Sequence, residues 1–311
     1  MTKAIAHPNI ALIKYWGKQD KPGNLPATPS LSITLDGLVT ETVLTDAATD
    51  RFVINGQQQQ DAKVANFLTT LRQSHAVPPL EIVTINNFPT GAGLASSASG
   101  FAALMTAINT HCQLGLSSDL ISEWARQGSA SAARSVYGGF VNLAPPLWRA
   151  SPAVSTNHWP LNVVIAITSE EKKAVGSTEG MRRTAATSPF YDAWAQGAAE
   201  DYATASNAIA RQDFSALAGV AELSCLKMHS IMLTSVPTLS YWNPSTVACM
   251  DEVRRMRAEG IATFFTIDAG PQVKAVCLPD SVAQVRAALS DVPGVLATHV
   301  CALGGAARVL D

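Results

Sequence analysis

Three charged residues in this chain stand alone among apolar or small neighbours, and each is of a type that can do chemistry there. Lys14 ends the run Asn9-Ile-Ala-Leu-Ile-Lys14. An ammonium following a buried strand is costly unless a carboxylate or an anionic ligand meets it; the alternative is a lysine at a surface strand end. Arg134 lies within Arg126-Gln-Gly-Ser-Ala-Ser-Ala-Ala-Arg-Ser-Val-Tyr-Gly-Gly-Phe140, whose small residues permit close backbone approach. Its planar fork suits a carboxylate or a phosphate, and Ser129 and Ser131 can donate to the same anion. A helix end carrying a surface salt bridge is the plainer reading. Asp268 sits at the tip of an apolar strand, between Ile267 and Ala269-Gly270-Pro271. It is either a turn residue or a carboxylate held at a cleft lip as a base. Lys18 follows Gly17 and is expected to be solvent-accessible.

Two hydroxyl-rich glycine segments add anion-binding capacity. The first, Phe88-Pro-Thr-Gly-Ala-Gly-Leu-Ala-Ser-Ser-Ala-Ser-Gly100, joins a β-type run, Leu80 to Ile85, to a helix-type run starting near Ala98. Gly91 and Gly93 allow a tight turn and close approach to a ligand. The first amides of the following helix lack intrahelical partners, and its dipole favours an anion. Ser96 and Ser97 add side-chain contacts or reach a metal ion held by phosphates. The reading is a polyphosphate cradle, with a glycine turn and a serine helix cap as the alternative. The second segment, Val175-Gly-Ser-Thr-Glu-Gly-Met181, reads as a loop after a buried strand.

The elements that must position these groups follow from periodicity. Ile10, Leu12 and Lys14 share one strand parity, which aims them at one face. Leu31, Ile33 and Leu35 alternate with Ser32 and Thr34, the pattern of a half-buried strand. Val39 to Leu44 is β-type. Val64, Phe67, Leu68 and Leu71 follow helical spacing, with Asp61 as N-cap. Phe101, Leu104, Met105 and Ile108 make a second stripe, and a further helix runs from Asp119 to Gln127. Residues 144 to 160, with four prolines, read as a connection between lobes. Val163 to Ile167 fits a buried central strand. Trp194, Ala198, Tyr202, Ala205 and Ile209 mark a long helix, and Val247, Met250 and Val253 another that ends by Gly260. Ile261 to Ile267 and Val273 to Leu278 read as adjacent strands joined through Asp268. Val282, Val285 and Leu289 mark a last helix capped by Ser281. Gln57 to Gln60 reads as an exposed turn. The class is α+β, in two lobes with a cleft between them.

Composition excludes several functions. With 311 residues and 47% hydrophobic content, the chain can bury a substantial core. A formal net charge of -2 gives no global basic field for nucleic acid or anionic membrane. No apolar run reads as approaching the roughly 20 residues of a membrane span, and His7, Pro8, Asn9 and Lys14 interrupt any secretory signal. The five cysteines form no CxxC pair, and the six histidines show no HExxH spacing, which argues for buried thiols in a cytoplasmic protein and against protein-held zinc.

Taken together, the segments resemble the mevalonate diphosphate decarboxylases, a branch of the superfamily of small-molecule kinases that includes galactokinase, homoserine kinase and mevalonate kinase. The matching stretches are residues 9–18, 88–98, 126–140, 176–181 and 268–271, in the family's order. Lys14-Tyr-Trp-Gly-Lys18 and Asp268-Ala-Gly-Pro271 point to the decarboxylase branch. The resemblance implies a GHMP-kinase-like fold, with a ribosomal protein S5 domain 2-like N-terminal lobe over residues 1–160 and a ferredoxin-like C-terminal lobe over 161–311 that supplies Asp268. It implies conversion of mevalonate 5-diphosphate and ATP into isopentenyl diphosphate, ADP, phosphate and carbon dioxide, with Mg2+ bridging phosphates and no organic cofactor. By the same resemblance Asp268, Lys14 and Arg134 are catalytic, and Tyr15, Lys18, Ser129, Ser131, Ser177 and Thr178 line the substrate. Pro89, Gly91, Ala92, Gly93, Leu94, Ala95, Ser96 and Ser97 form the ATP phosphate loop. A cytoplasmic homodimer is expected, with no nucleic-acid or membrane partner.

Two departures from the family pattern stand out. Gly91 and Ala130 replace residues that are often Ala and Gly. Pro26-Ala-Thr-Pro-Ser-Leu-Ser32 stands where many members have a Pro-x-Asn-Ser-Ser-Leu-Ser stretch, which leaves the acceptor's identity open. The alternatives are a mevalonate 5-phosphate decarboxylase, a mevalonate 3-kinase, which Lys14 and Asp268 together argue against, and a non-catalytic relative, against which the intact set argues.

Overall fold

The Val163–Ile167 run is continuously apolar because its strand is covered on both faces. In the computed structural model, which describes residues 1–89, 93–155, 157–171 and 173–310, it becomes β10 (Asn162–Ile167). The strand lies inside an antiparallel sheet ordered β11 (Thr263–Thr266), β12 (Val273–Cys277), β10, β13 (Ala297–Ala302). Val163, Ile165 and Ile167 face one core; Val164 and Ala166 face another, made with α8 (Pro244–Ala258) and α9 (Val282–Ser290). Burying each such large side chain contributes roughly 1.5–3 kcal/mol.

A second four-stranded sheet runs β2 (Asn9–Ile13), β3 (Ser30–Thr34), β8 (Phe140–Leu143), β9 (Ala150–Pro152). Its inner face, with Leu12, Leu31, Ile33 and Phe140, packs into the same core as Ile165, Phe264 and Val276 of the β10 sheet. Two long helices complete that core, α6 (Tyr191–Arg211) and α7 (Phe214–Leu233). The lobes are therefore joined by a packed interior, which fixes the strand ends facing the cleft.

The remaining sheet has six strands, ordered β14 (Arg308–Leu310), β1 (Thr2–Ala6), β4 (Thr40–Asp46), β7 (Leu80–Asn86), β5 (Arg51–Ile54), β6 (Gln57–Gln59). Against it pack α1 (Ala62–Arg72), α2 (Ser96–His111) and α3 (Ser118–Gly128), followed by the short α4 (Ala132–Ser135). Asp61 caps α1 as expected, accepting from the amides of Lys63 and Val64. The last described strand, β14, pairs with the first, β1, which returns the C-terminal segment to this sheet.

Several elements differ from the sequence reading. The Leu31–Leu35 strand is buried on both faces: Ser32 and Thr34 lie inside, Thr34 donating to the Tyr137 carbonyl, and Ser30 just before them accepts from Arg134. A bulge between Ala11 and Ile13 breaks the parity of β2, and Lys14 leaves the strand. The proline-rich 144–160 segment contains a strand, β9. Gln57–Gln59 is an exposed edge strand, not a turn. Ser281 stands at the start of α9 but makes no capping bond. The largest omission is α7. Its 20 residues are long and apolar enough to cross a membrane by length and composition, contrary to the expectation above, yet 61% of that stretch is buried inside the fold. Buried against α6, β2 and β11, it shows no single apolar stripe for periodicity to find.

The turn after β13 closes the C-terminal segment on β3. Gly304 donates to Thr34 O at 2.7 Å, and Gly139 donates to Gly304 O at 2.9 Å. A Cβ on Gly304 would meet the Leu35 carbonyl carbon and oxygen at 2.7 Å. Gly304→Ala is expected to destabilise the protein by about 1–3 kcal/mol, read as a lowered Tm in thermal melts; an unchanged Tm would mean that this junction yields freely.

Candidate active site

The two segments that carry Lys14 and Asp268 are held together before their side chains meet. Thr266 on β11 donates its hydroxyl to Ala11 O at 3.2 Å, tying β11 to β2. The β11–β12 turn is closed by Gly270 N–H on Asp268 O at 2.8 Å. Lys14 Nζ then reaches Asp268 Oδ1 at 2.5 Å, and Lys274 of β12 stands 3.4 Å from Oδ2. Both lysine side chains are almost wholly buried, at 1% and 0% exposure. Burial alone pushes the Asp268 carboxyl upward, but the two ammonium groups outweigh it and hold the group down to about 2. Lys274 moves the other way: burial pulls it below its ordinary value, opposed by Asp268.

Helix α7 fixes this arrangement from behind. Ser224 Oγ accepts from Lys14 N–H at 3.0 Å. Cys225 Sγ accepts from Ile267 N–H at 3.2 Å, and His229 Nε2 lies 3.3 Å from Ile267 O. Glu222 accepts from Phe265 N–H at 3.1 Å and takes both arms of Arg257 at 2.6 and 2.9 Å. One helix thus grips the backbone on both sides of the ion pair.

Arg134, on α4, is a different case. It is 2% exposed, and among the described residues no carboxylate lies within ion-pair distance. Nε donates to Asn9 Oδ1 at 3.2 Å and Nη1 to Ser30 Oγ at 2.6 Å; the guanidinium lies 5.6 Å from the centre of the Tyr15 ring. Burial lowers its pKa, with Tyr15 and Asp268 opposing. A buried guanidinium with only neutral acceptors is a site for an anion. Tyr15 is raised, first by burial, and stays protonated.

All three charged groups open on one cavity of about 320 Å3. Two helix N-termini face it. Ala95, in the left-handed region at φ 57°, is the N-cap of α2, so Ser96 and Ser97 open that helix two residues earlier than the sequence suggested. Across the cleft, Gly176 caps α5 (Ser177–Thr187); Ser177 and Thr178 belong to a helix where a loop was expected. Hydroxyls continue along the wall, with Ser97 3.4 Å from Ser129 and Ser129 3.2 Å from Ser131. Lys173 donates to Ser177 Oγ at 2.7 Å and Ala269 O at 3.0 Å, and burial pulls it down to about 8. Lys18 and Lys63 are exposed at the mouth.

The cavity therefore gathers Asp268, Lys14, Arg134, Tyr15, Lys18, Ser129, Ser131, Ser177 and Thr178, together with Gly93, Ala95, Ser96 and Ser97. Two residues assigned to the phosphate loop do not line it. Pro89 is exposed on the approach, and Leu94 turns inward to pack with Phe88 in the core. Gly91 and Ala92 lie outside the described residues. Sequence reasoning missed Asn9 as the brace of Arg134, and it missed Lys63, Lys173 and Lys274. Only Lys274 carried a signal, a lysine inside the apolar strand Val273-Lys-Ala-Val-Cys277.

Among the described residues, no group of three or more His, Cys, Asp or Glu could hold a metal ion, and the single carboxylate of the cleft is already paired with lysines. This donor set fits magnesium that arrives on a nucleotide's phosphates, facing the hydroxyls of Ser96 and Ser97, and does not fit a protein cage.

Comparison with known proteins places both halves of the chain in one family. Residues 6–146 match the profile of the diphosphomevalonate decarboxylase-like N-terminal domain, and residues 163–301 match the mevalonate 5-diphosphate decarboxylase C-terminal domain. A diphosphomevalonate decarboxylase of Aspergillus fumigatus is 38% identical over 301 residues, covering 85% of this chain and 73% of that protein. Among solved structures, mevalonate diphosphate decarboxylase from Staphylococcus aureus superimposes with a TM-score of 0.93 at 34% identity, covering 100% of this chain and 98% of that one. A structure described as MDDEF in complex with MVAPP, AMPPCP and magnesium gives a TM-score of 0.92 at 37% identity, with the same coverage.

His229 yields a prediction about the platform under the site. Burial, then the Lys14 charge, lowers its pKa to about 3. The unfolded chain takes up a proton near pH 6.5 that the folded protein refuses until about 3, so stability falls as pH drops through that window. The slope from this group is about 1.4 kcal/mol per pH unit. Calorimetric melts between pH 6.5 and 4.5 are expected to show it, with a flatter dependence in His229→Gln; equal slopes in the two proteins would remove His229 from the account.

Proposed function

The chain belongs to the mevalonate diphosphate decarboxylase family, and from that premise we propose that it converts mevalonate 5-diphosphate and ATP into isopentenyl diphosphate, ADP, phosphate and carbon dioxide. The observation that carries the reading is the pairing, in one cleft, of an ionised Asp268 held by lysines with a buried Arg134 that has no carboxylate partner among the described residues. Phosphoryl transfer needs the first, and holding a substrate carboxylate needs the second.

Asp268, held at about 2, is a weak base for an alcohol. Its role is to orient the tertiary C3 hydroxyl toward the γ-phosphate and to take its proton late in the transfer. Oδ1 is the oxygen for this, since Oδ2 is shut away from solvent. Lys14, bonded to that same oxygen, balances the charge that develops on the hydroxyl. Arg134 grips the substrate carboxylate from its brace of Asn9 and Ser30. Departure of the C3 phosphate builds positive charge on a tertiary carbon; the carbon–carbon bond to the carboxylate then breaks, carbon dioxide leaves, and the pair from that bond forms the alkene. We assign Tyr15, Lys18, Ser129, Ser131, Ser177 and Thr178 to the acceptor and its diphosphate. Gly93, Ala95, Ser96 and Ser97 go to the ATP phosphates. Magnesium, when bound, neutralises those phosphates. Residues 1–160 then form the nucleotide side and 161–311 the side that supplies Asp268, with β14 returning to the first sheet. Five free cysteines fit a reducing, cytoplasmic setting.

The direct test gives the purified chain ATP, magnesium and, in turn, mevalonate, its 5-phosphate and its 5-diphosphate, following ADP and carbon dioxide together. Equal release of both with the 5-diphosphate is expected. ADP without carbon dioxide would make the protein a kinase, and silence with all three acceptors would end the enzyme reading. Asp268→Asn is expected to lower kcat by roughly 10²–10⁴-fold with ATP affinity nearly unchanged, measured by steady-state kinetics and equilibrium binding. Arg134→Lys, which keeps the charge but loses the fork, is expected to raise KM for the acceptor by about tenfold or more; normal kinetics would return Arg134 to a packing role.

A further inference from the structure

Lys274 has so far been counted only as one of the charges that hold Asp268 ionised, yet it is wholly buried and its ammonium stands between two acceptors. Strand alternation puts it on the same face of β12 as Val276, the face turned toward the N-terminal lobe. There it donates a hydrogen bond to Gly93 O of the phosphate loop at 3.0 Å. The same ammonium is 3.4 Å from Asp268 Oδ2, a buried oxygen that has no hydrogen-bond partner, while Oδ1 takes Lys14 at 2.5 Å. A second contact joins these segments. Gly93 adopts φ +85°, and a Cβ there would stand 3.1 Å from Gly270 Cα, so the loop backbone rests on the turn that carries Asp268.

We propose that Lys274 is a positioning residue that couples the nucleotide phosphate loop to the carboxylate of Asp268, a role that rests on the reading of the cleft given above. Its hydrogen bond tethers the loop through Gly93. Its charge keeps the neighbouring carboxylate ionised. With three N–H groups, one ammonium serves both the Gly93 carbonyl at 3.0 Å and the Oδ2 charge at 3.4 Å. A neutral side chain here would leave Lys14 alone to oppose the burial of Asp268.

The groups facing Asp268 allow a clean reading of pH. Lys14 and Lys274 flank it, Lys173 approaches from the segment before α5, and Arg134 and Tyr15 face it from the opposite lobe. From α7 come Cys225, pushed up to about 11, and His229, held down to about 3. Lys173 at about 8, Cys225 and His229 lie outside the range from about pH 4 to 7, and a limb that appears there when Lys274 is replaced is read as that of Asp268.

The test compares wild type with Lys274→Met and Lys274→Gln. It reads the pH profile of kcat/KM for the acceptor, the equilibrium binding of a fluorescent ATP analogue, and melts to verify folding. Loss of the charge is expected to move the acid limb upward by about one to three pH units in both variants. Loss of the donor in Lys274→Met is expected to weaken nucleotide binding about tenfold. Lys274→Gln keeps an N–H donor and is expected to bind the analogue within about threefold of wild type. A folded Lys274→Met with the wild-type acid limb and wild-type nucleotide affinity would overturn the proposal, as would a variant whose only change is a lower Tm. Should Lys274→Met fail to fold, an unmoved acid limb in Lys274→Gln overturns it equally. Failure of the functional reading itself is distinct, because it appears as wild type that releases no ADP or carbon dioxide.

Discussion

A carboxylate set between two buried ammonium groups is the constraint on which the rest of this molecule depends. Taking Asp268, Lys14 and Lys274 out of water is costly, and their mutual attraction offsets that cost only when the geometry is tight. Two lobes must supply it jointly, since Lys14 follows β2 and Asp268 and Lys274 border the β11–β12 turn. That requirement explains why the lobes share a packed core through Leu31, Phe140, Ile165 and Phe264. It also explains the polar side chains inside the core helix α7. Glu222, Ser224, Cys225 and His229 are spaced to meet the backbone on both sides of the pair. A membrane span of similar composition would have no such use for them.

The cleft carries far more positive charge than the chain as a whole. Lys14, Lys18, Lys63, Lys173 and Arg134 line it with Asp268 as the only carboxylate among the described residues, although the protein's formal net charge is -2. Focused in a cavity with partly desolvated walls, such a field selects polyanions, and two helix N-termini reinforce it. The hydroxyl line from Ser97 through Ser129 to Ser131 then connects the nucleotide side to the acceptor side. Both ligands of a phosphoryl transfer are anionic, so binding them close together without metal-binding carboxylates requires this surplus of fixed cations.

Much of this was legible in the sequence for reasons that are local. The glycine loop, the hydroxyls of 129–131 and 177–178, and the isolated Lys14, Arg134 and Asp268 are unusual within their own segments, and a resemblance across five segments named the chemistry. What failed to show was whatever lacked a local signature. Helix α7 exposes Leu223 and Leu233 on its outer face while burying Glu222 and His229, so it has no stripe; α5 opens with Gly-Ser-Thr, which reads as a loop until the helix beyond it is packed. Leu94 resembles its loop neighbours in sequence, yet it turns into the core.

The sequence by itself determined which chemical groups exist and in what order, and hence the class of reaction, because residue types and short spacings survive in one dimension. The tertiary structure alone decided which oxygen of Asp268 faces the cleft and that Arg134 lacks a carboxylate among the described residues. It alone showed that Lys274, six positions beyond the acid, bridges that acid to a loop 181 residues earlier. Those facts depend on distances between segments remote in the chain. Such distances are fixed by the shared core, and no local pattern records them.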